Sequence, residues 1–334
     1  MSEQKLKKKI ISEIFNEGCN FHLELLVSGR SAIDFALKDL IIKNKIDTAL
    51  LPDYICESMI EPFIKNCINI EFYSVNFENG EFIVDYSTLC NRENTCVLIC
   101  DYFKPNNEIY NSIIKQVSEK NYIIHDITHT LFSNDVNVSL DDYTVCSLRK
   151  WFDIIDGGLV IGKQPFKINK KEEHSQYIEN KTASRKLKKE YYNNPTKENK
   201  KLYKYYYNLS DEILNNDFSL YTMSQKSIEQ VLYSNFFKIK KDRQNLFKEI
   251  CQILSKNGIE VIKNIDIFNC LFTIPIVVEN RDEVIEKFYN NLIRCAVFWE
   301  YNEYNKDRQN NFIDNGICLS ISENTSKQLK KILK

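Results

Sequence analysis

Glycine and proline are scarce in this chain, at 8 and 6 of 334 residues, which excludes a Gly/Pro-rich repetitive or low-complexity protein. Each glycine cluster therefore carries more information than it would in an average chain. Excess charge of one sign is also missing. With 45 basic and 46 acidic residues the net charge is -1, so the chain has no global attraction to nucleic acid or anionic lipid. No hydrophobic run is long enough to span a membrane: the apolar stretch 271–278 is short and contains Pro275. The lysines near the start are not followed by an apolar stretch of signal-peptide length, so a cytoplasmic protein without membrane contact is expected. The 11 cysteines include no C-x-x-C pair and lie singly from Cys19 to Cys318; they read as buried thiols in a reducing compartment.

What is present is enough apolar surface for a real core, with 43% hydrophobic and 12% aromatic residues over one large domain or two ordinary ones. Short apolar runs predict strands at 47–51, 70–75, 96–101, 122–125, 143–147 and 159–161. Helical spacing predicts helices at 30–42, 57–65 and 108–119 between them. This alternation implies an α/β fold with a mostly parallel mixed sheet and helices on its faces, in which ligands sit at the carboxyl ends of strands. From about 165 to 216 the chain turns rich in Lys, Tyr and Asn and reads as two exposed helices broken at Pro195. The basic run 185–204 with interleaved tyrosines could grip phosphate or nucleic acid; mixed acidic residues favour a solvated helix face. The last third predicts a helix at 224–256, a strand near 268–278, a helix at 281–292 and a strand at 317–321. That is a smaller C-terminal α+β domain, dividing the chain into 1–222 and 223–334.

Four segments at strand ends carry candidate chemistry. Ser28-Gly29-Arg30-Ser31 precedes a helix, where first-turn amides form an anion site, although the same sequence is an ordinary cap. His125-Asp126-Ile127-Thr128-His129 ends an apolar strand in a carboxylate. Asp126 could orient a ring nitrogen, or bind a metal with His125 and His129, or simply cap a turn beside a half-buried histidine. In Ser147-Leu148-Arg149-Lys150-Trp151-Phe152, followed by Asp156-Gly157-Gly158, a lysine stands between a strand and bulky aromatics. Burial there would lower its pKa, as a Schiff-base lysine requires; a lysine lying over an aromatic surface is the plainer reading. Tyr54 and Tyr102 follow two strands at the same sheet edge and could stack on a planar cofactor or close the core.

Together these features suit pyridoxal phosphate, and here the sequence resembles the fold-type I aminotransferases, specifically the sugar aminotransferases of the DegT/DnrJ/StrS type. Residues 28–37 resemble that family's S-G-T-x-A-L-x-x-A-L turn and helix, Leu51-Pro52-Asp53-Tyr54 its P-x-Y-T segment, and Asp101-Tyr102-Phe103-Lys104-Pro105 its Y-G-x-P segment. His125 to His129 match its E-D-x-x-Q/H element, Ser147 to Phe152 with Asp156-Gly157-Gly158 resemble a subgroup with S-L-R-K-W before D-G-G, and Tyr221 to Ser224 and Arg243-Gln244-Asn245 resemble Y-x-M-S and R-x-N-y. Three positions depart: Ser147 stands three residues before the lysine rather than five, Arg30 replaces a threonine, and Cys56 replaces an aromatic.

The resemblance implies pyridoxal 5'-phosphate as cofactor, with Lys150 carrying it, Asp126 on the pyridine nitrogen and His129 at the ring oxygen or face. It implies phosphate anchoring by Ser147 and by the amides at Gly29, Arg30 and Ser31, and ring stacking by Tyr54 or Tyr102. It further implies a homodimer with shared sites, an amino-acid donor (typically glutamate) and a keto-sugar acceptor, typically nucleotide-linked, as in amino-sugar or surface-polysaccharide biosynthesis. An acceptor that is a small phosphorylated carbonyl compound is an alternative. Two further readings stay open: a metal-dependent hydrolase using His125, Asp126 and His129, and a non-catalytic binding protein on the same fold.

Overall fold

The computed structural model describes residues 2–15, 21–85, 87–103, 114–133, 141–263, 270–306 and 310–333. Helix α1 (Ser2–Ile14) leads into β1 (His22–Leu26), α2 (Gly29–Asn44), β2 (Thr48–Pro52), α3 (Glu57–Lys65) and β3 (Asn69–Tyr73). A hairpin of β4 (Val75–Glu78) and β5 (Glu81–Val84) follows, then β6 (Cys96–Cys100), β7 (Tyr122–Asp126), β8 (Tyr143–Cys146), β9 (Gly158–Gly162), β10 (Lys171–Glu173) and β11 (Tyr221–Thr222). These strands build a nine-stranded mixed sheet in the order β10-β11-β1-β9-β8-β7-β6-β2-β3. Strands β3, β2, β6, β7 and β8 run parallel; β9 is antiparallel to both β8 and β1.

Both faces of the sheet are covered, as the alternation along β6 shows: Cys96 and Leu98 enter one core with α2, while Val97 and Ile99 enter another. Such two-sided burial is why these strands are continuous apolar runs rather than alternating ones. Helix α2 lies deep for the same reason and buries two acids, each fully engaged. Asp34 accepts from Asn66 Nδ2 (2.8 Å) and Ser219 Oγ (2.6 Å), and Asp39 accepts from Tyr143 Oη (2.7 Å) and the Lys167 amide (2.6 Å). Unpaired, either carboxylate would be too costly to bury.

A second sheet of three strands, β12 (Thr273–Val277), β14 (Gly316–Ser320) and β13 (Cys295–Ala296), is antiparallel in the order β12-β14-β13. It closes a core of its own with the helices Phe236–Lys256, Arg281–Asn290 and Glu323–Ile332.

Several expectations change. The predicted strand 70–75 is two strands in different sheets, because the Asp53 carboxylate takes the Val75 amide (2.9 Å) just where the chain leaves the main sheet. The predicted helix 224–256 is broken into Gln225–Leu232 and Phe236–Lys256, with the Asn235 side chain capping the second by accepting from the Lys238 amide. Strand β1 and the short β13 were not predicted. Most of the predicted helix 108–119, the start of the strand 268–278, and Lys104-Pro105 fall outside the described residues; residues 114–118 are helical.

The Lys/Tyr-rich segment forms two helices, Ser175–Asn193 and Lys197–Asn216, packed on each other. Their outer faces are solvated, but Tyr177, Lys181, Ser184, Ser210 and Leu214 are buried. Among the described residues Cys96, Cys146, Cys270 and Cys318 are buried free thiols, while Cys67 is an exposed one. Among the described residues no helix is long and apolar enough to cross a membrane.

One contact sets the sheet's centre. A Cβ on Gly158 would collide with the Ser28 carbonyl oxygen, so β1 and β9 can close on the start of α2 only with glycine there. Gly158→Ala is expected to lower stability by about 3 kcal/mol or more, the upper range for overpacking since the obstacle is backbone. Urea denaturation of the variant measures it.

Candidate active site

A cleft of about 200 Å³ opens at the carboxyl ends of the parallel strands. Lys150, Ser147, Asp126, His129, Gly29 and Arg30 all line it. Residues more than a hundred positions apart thus meet at one place, and each is delivered by local structure.

Ser28 caps α2, its Oγ accepting from the Ser31 amide at 3.1 Å and meeting Ser31 Oγ at 2.8 Å. Gly29 and Arg30, whose amides precede the first turn's acceptors, are left at the cleft wall, an arrangement suited to an anion. Ser31 is spent on the cap and does not line the cleft. Ser147 comes up against Gly29: a Cβ on that glycine would stand 2.9 Å from the Ser147 Cβ. The Ser147 amide donates to Thr128 Oγ1 at 3.0 Å, which ties the loop after β8 to the loop after β7.

Lys150 ends a short 3-10 turn, Leu148–Lys150, anchored in the core by Leu148 while Arg149 lines the cleft. Trp151 is buried and its Nε1 donates to the Thr128 carbonyl at 2.8 Å, so the next residue back must point the other way, into the cleft. Its amine sits 5.1 Å from the centre of the Phe298 ring and 5.3 Å from that of Phe272. Desolvation and then the nearby Arg149 charge push the lysine pKa down, which favours the neutral, nucleophilic amine.

Asp126 ends β7, on the cleft floor. Its Oδ1 accepts from the Thr128 amide at 2.7 Å, but desolvation still raises its pKa to about 6. A carboxylate so placed wants a cation opposite it.

The neighbouring His125 points away from the cleft. Its Nδ1 meets Asp141 at 2.8 Å and its Nε2 meets Asp101 at 2.9 Å, fully buried. Desolvation opposes its charge, but the two carboxylates prevail and raise its pKa well above the ordinary value. His129 takes a different path, its ring stacked against Phe103 at 4.6 Å (18°) and Trp299 at 5.7 Å (15°). Desolvation and then the Lys150 charge lower its pKa to about 3, so the ring is neutral. His125 thus does not join Asp126 and His129 at the cleft, and among the described residues no group of three His, Cys, Asp or Glu side chains is placed to hold a metal.

Neither tyrosine faces the cleft, which corrects the ring-stacking expectation. Tyr54 is 1% and Tyr102 5% exposed, stacked with Phe82 in a core cluster. Tyr54 acts one layer back: its hydroxyl donates to the Phe298 carbonyl and its ring packs 5.1 Å from Trp299. The aromatic wall is therefore Phe298 and Trp299, from a C-terminal loop that sequence reasoning passed over, although Trp299 is one of only 2 tryptophans. Thr128 was also missed; it holds Asp126, Ser147 and Trp151 together.

Arg30 is largely committed. Its Nη1 donates to Glu61 and to Asn215 Oδ1 (2.9 Å), and its guanidinium lies over Phe218 at 5.2 Å. Arg149 donates from Nη1 to Tyr177 Oη at 2.8 Å, and its Nε is buried without a partner.

No protein-family model and no curated protein sequence matches the chain. Solved structures do. The sugar aminotransferase CalS13 from Micromonospora echinospora superposes with a TM-score of 0.64 at 10% identity, covering 99% of this chain and 91% of the other. The putative sugar aminotransferase Spr1654 from Streptococcus pneumoniae, in its PMP form, gives 0.67 at 12%, covering 100% and 89%. A DegT/DnrJ/EryC1/StrS aminotransferase from Brucella abortus gives 0.61 at 11%, covering 99% and 89%. The chain has the fold of the sugar aminotransferases of the DegT/DnrJ/EryC1/StrS type.

Proposed function

We propose that this protein is a pyridoxal-phosphate-dependent aminotransferase that moves an amino group from an amino-acid donor, typically glutamate in this family, to a keto sugar linked to a nucleotide, in amino-sugar or surface-polysaccharide biosynthesis. The observation that carries it is the convergence of a lysine amine, a half-buried carboxylate and a helix N-terminus beside Ser147 on one cleft. A cytoplasmic homodimer and a division of the chain near residue 222 go with this reading.

The cleft fits the cofactor on its own terms. The half-buried Asp126 carboxyl lines the cleft with a raised pKa, and a pyridinium N–H would pair with it there. The close approach of Gly29 to Ser147 leaves amides and a hydroxyl together, as a phosphate requires. The Lys150 amine projects into the cleft beside the Phe272 and Phe298 rings, with the unpartnered edge of Arg149 nearby for anionic charge.

When bound, the cofactor supplies an electron sink for the electrons left at the substrate carbon after proton loss. Asp126 holds the proton on the ring nitrogen that makes the sink effective. Lys150 Nζ anchors the group, then carries the proton from and to the substrate carbon. Ser147 with the Gly29 and Arg30 amides binds the phosphate, neutral His129 offers a flat face or a hydrogen bond to the ring, and Phe298 and Trp299 exclude water.

Lys150→Ala should abolish both the visible absorbance of the lysine-bound cofactor and amino transfer; a variant that keeps the wild-type spectrum with pyridoxal phosphate would sink the assignment.

Asp126 gives a pH test. In the cofactor-free fold its pKa is raised above the ordinary value of 3.8 to about 6, so the folded state holds the proton more tightly and stability falls as pH rises through that window. Asp126→Asn should therefore gain roughly 2–3 kcal/mol over the wild type above pH 6 without cofactor. The same variant should slow the donor half-reaction by roughly 10²-fold or more. Chemical denaturation from pH 4 to 8 and stopped-flow absorbance read the two effects.

A further inference from the structure

Arg30 and Arg149 both line the cleft, on the two segments that approach each other at Gly29 and Ser147, but their charges are spent differently. Arg30 is ion-paired with Glu61 and donates to Asn215. Arg149 meets no carboxylate among the described residues. The acids nearest its partner Tyr177 are engaged elsewhere. Asp211 pairs with Lys181 at 2.8 Å, and Asp156 accepts from the Ser224 amide (2.6 Å), from Ser224 Oγ (2.6 Å) and from Ser227 Oγ. A half-buried cation with no counter-ion favours an anion arriving in the cleft.

What fixes Arg149 is a hydroxyl from another part of the chain. Tyr177, in the first turn of the helix Ser175–Asn193, is fully buried in a cluster with Val27, Leu214 and Phe218. Its Oη donates to the Ile155 carbonyl at 3.1 Å, which spends the phenol's one proton. The oxygen's lone pair is left to accept from Arg149 Nη1 at 2.8 Å. The guanidinium is thus held by one corner, and its Nε is buried without a partner. A neutral hydroxyl orients the arginine without cancelling its charge, as a carboxylate in the same place would. The remaining N–H groups, two residues on from Ser147, suit the oxygens of a phosphate monoester.

We propose that Tyr177 is a positioning residue for the cofactor: by orienting Arg149 it makes the helix pair Ser175–Asn193 and Lys197–Asn216 the element that retains the phosphate group of pyridoxamine phosphate. The inference rests on the reading of the cleft as a pyridoxal-phosphate site. The pyridoxal form is also held by Lys150 through its aldehyde. The pyridoxamine form carries an amine there instead, so its retention depends on the groups that grip its other end.

In the cofactor-free protein, titration calorimetry should show that Tyr177→Phe weakens binding of pyridoxamine 5'-phosphate roughly 10- to 100-fold, as loss of a hydrogen bond to a charged group does. Pyridoxamine, which has no phosphate, should bind wild type and variant alike. Arg149→Met should weaken pyridoxamine phosphate at least as much, and Tyr177→Phe should add nothing further in that background. Independently of any coenzyme, inorganic phosphate should raise the melting temperature of the wild type more than that of either variant.

A wild type that forms no lysine-bound chromophore with pyridoxal phosphate overturns the aminotransferase reading. A wild type that forms it, while Tyr177→Phe leaves pyridoxamine phosphate binding unchanged, overturns the positioning role alone. If Tyr177→Phe does not fold, unchanged binding in Arg149→Met overturns it instead. Equal losses of pyridoxamine and pyridoxamine phosphate, or an undiminished Tyr177→Phe effect in Arg149→Met, also overturn that role, because packing and not the Arg149 contact is then what the hydroxyl serves.

Discussion

The site depends on a backbone contact that admits no side chain. Gly158 passes against the Ser28 carbonyl, and Gly29 against Ser147. These two approaches bring the start of α2 and the end of β8 together. If either were widened by a methyl group, the helix amides and the Ser147 hydroxyl would no longer address one point. In a chain with only 8 glycines, three of them, Gly29, Gly157 and Gly158, lie at this junction. Gly157 takes a φ of +149, which a side chain would strain.

Charge is arranged around that junction in two layers. Lys150, Arg149, Arg30, Asp126 and Asp101 line the cleft, with the Asp101 carboxylate engaged by His125 and Thr130. Behind Asp126, His125 is locked between Asp101 and Asp141. The rear layer therefore fixes the strand ends. It also disposes of a shared metal role for His125 and His129, since one ring is saturated by carboxylates and the other is packed among aromatic rings.

The helix pair Ser175–Asn193 and Lys197–Asn216 is more than a solvated ornament. Through Tyr177 it holds Arg149, through Asn215 it holds Arg30, and Leu214 lines the cleft. Its inner faces set how much freedom those arginines keep, while its outer tyrosines, such as Tyr192 at 59% exposed, remain in solvent. A charge-rich composition concealed this division, because Lys and Tyr serve both surfaces.

Much of the sheet was legible because β6, β7 and β8 are buried on both faces and so are written as continuous apolar runs. Strand β1, His22–Leu26, escaped notice since Glu24 interrupts it; that charge is met by Lys7 at 2.8 Å and Lys170 at 2.7 Å, partners set far along the chain. Residue order alone shows the chemical groups and their succession: a serine-capped helix start at glycine, a carboxylate at a strand end, a lysine before aromatics. Which ring faces the site, which cations stay unpaired, and that Tyr54 supports Phe298 instead of stacking follow from packing in three dimensions. Local propensity depends on neighbours along the chain, whereas burial and pairing depend on neighbours in space.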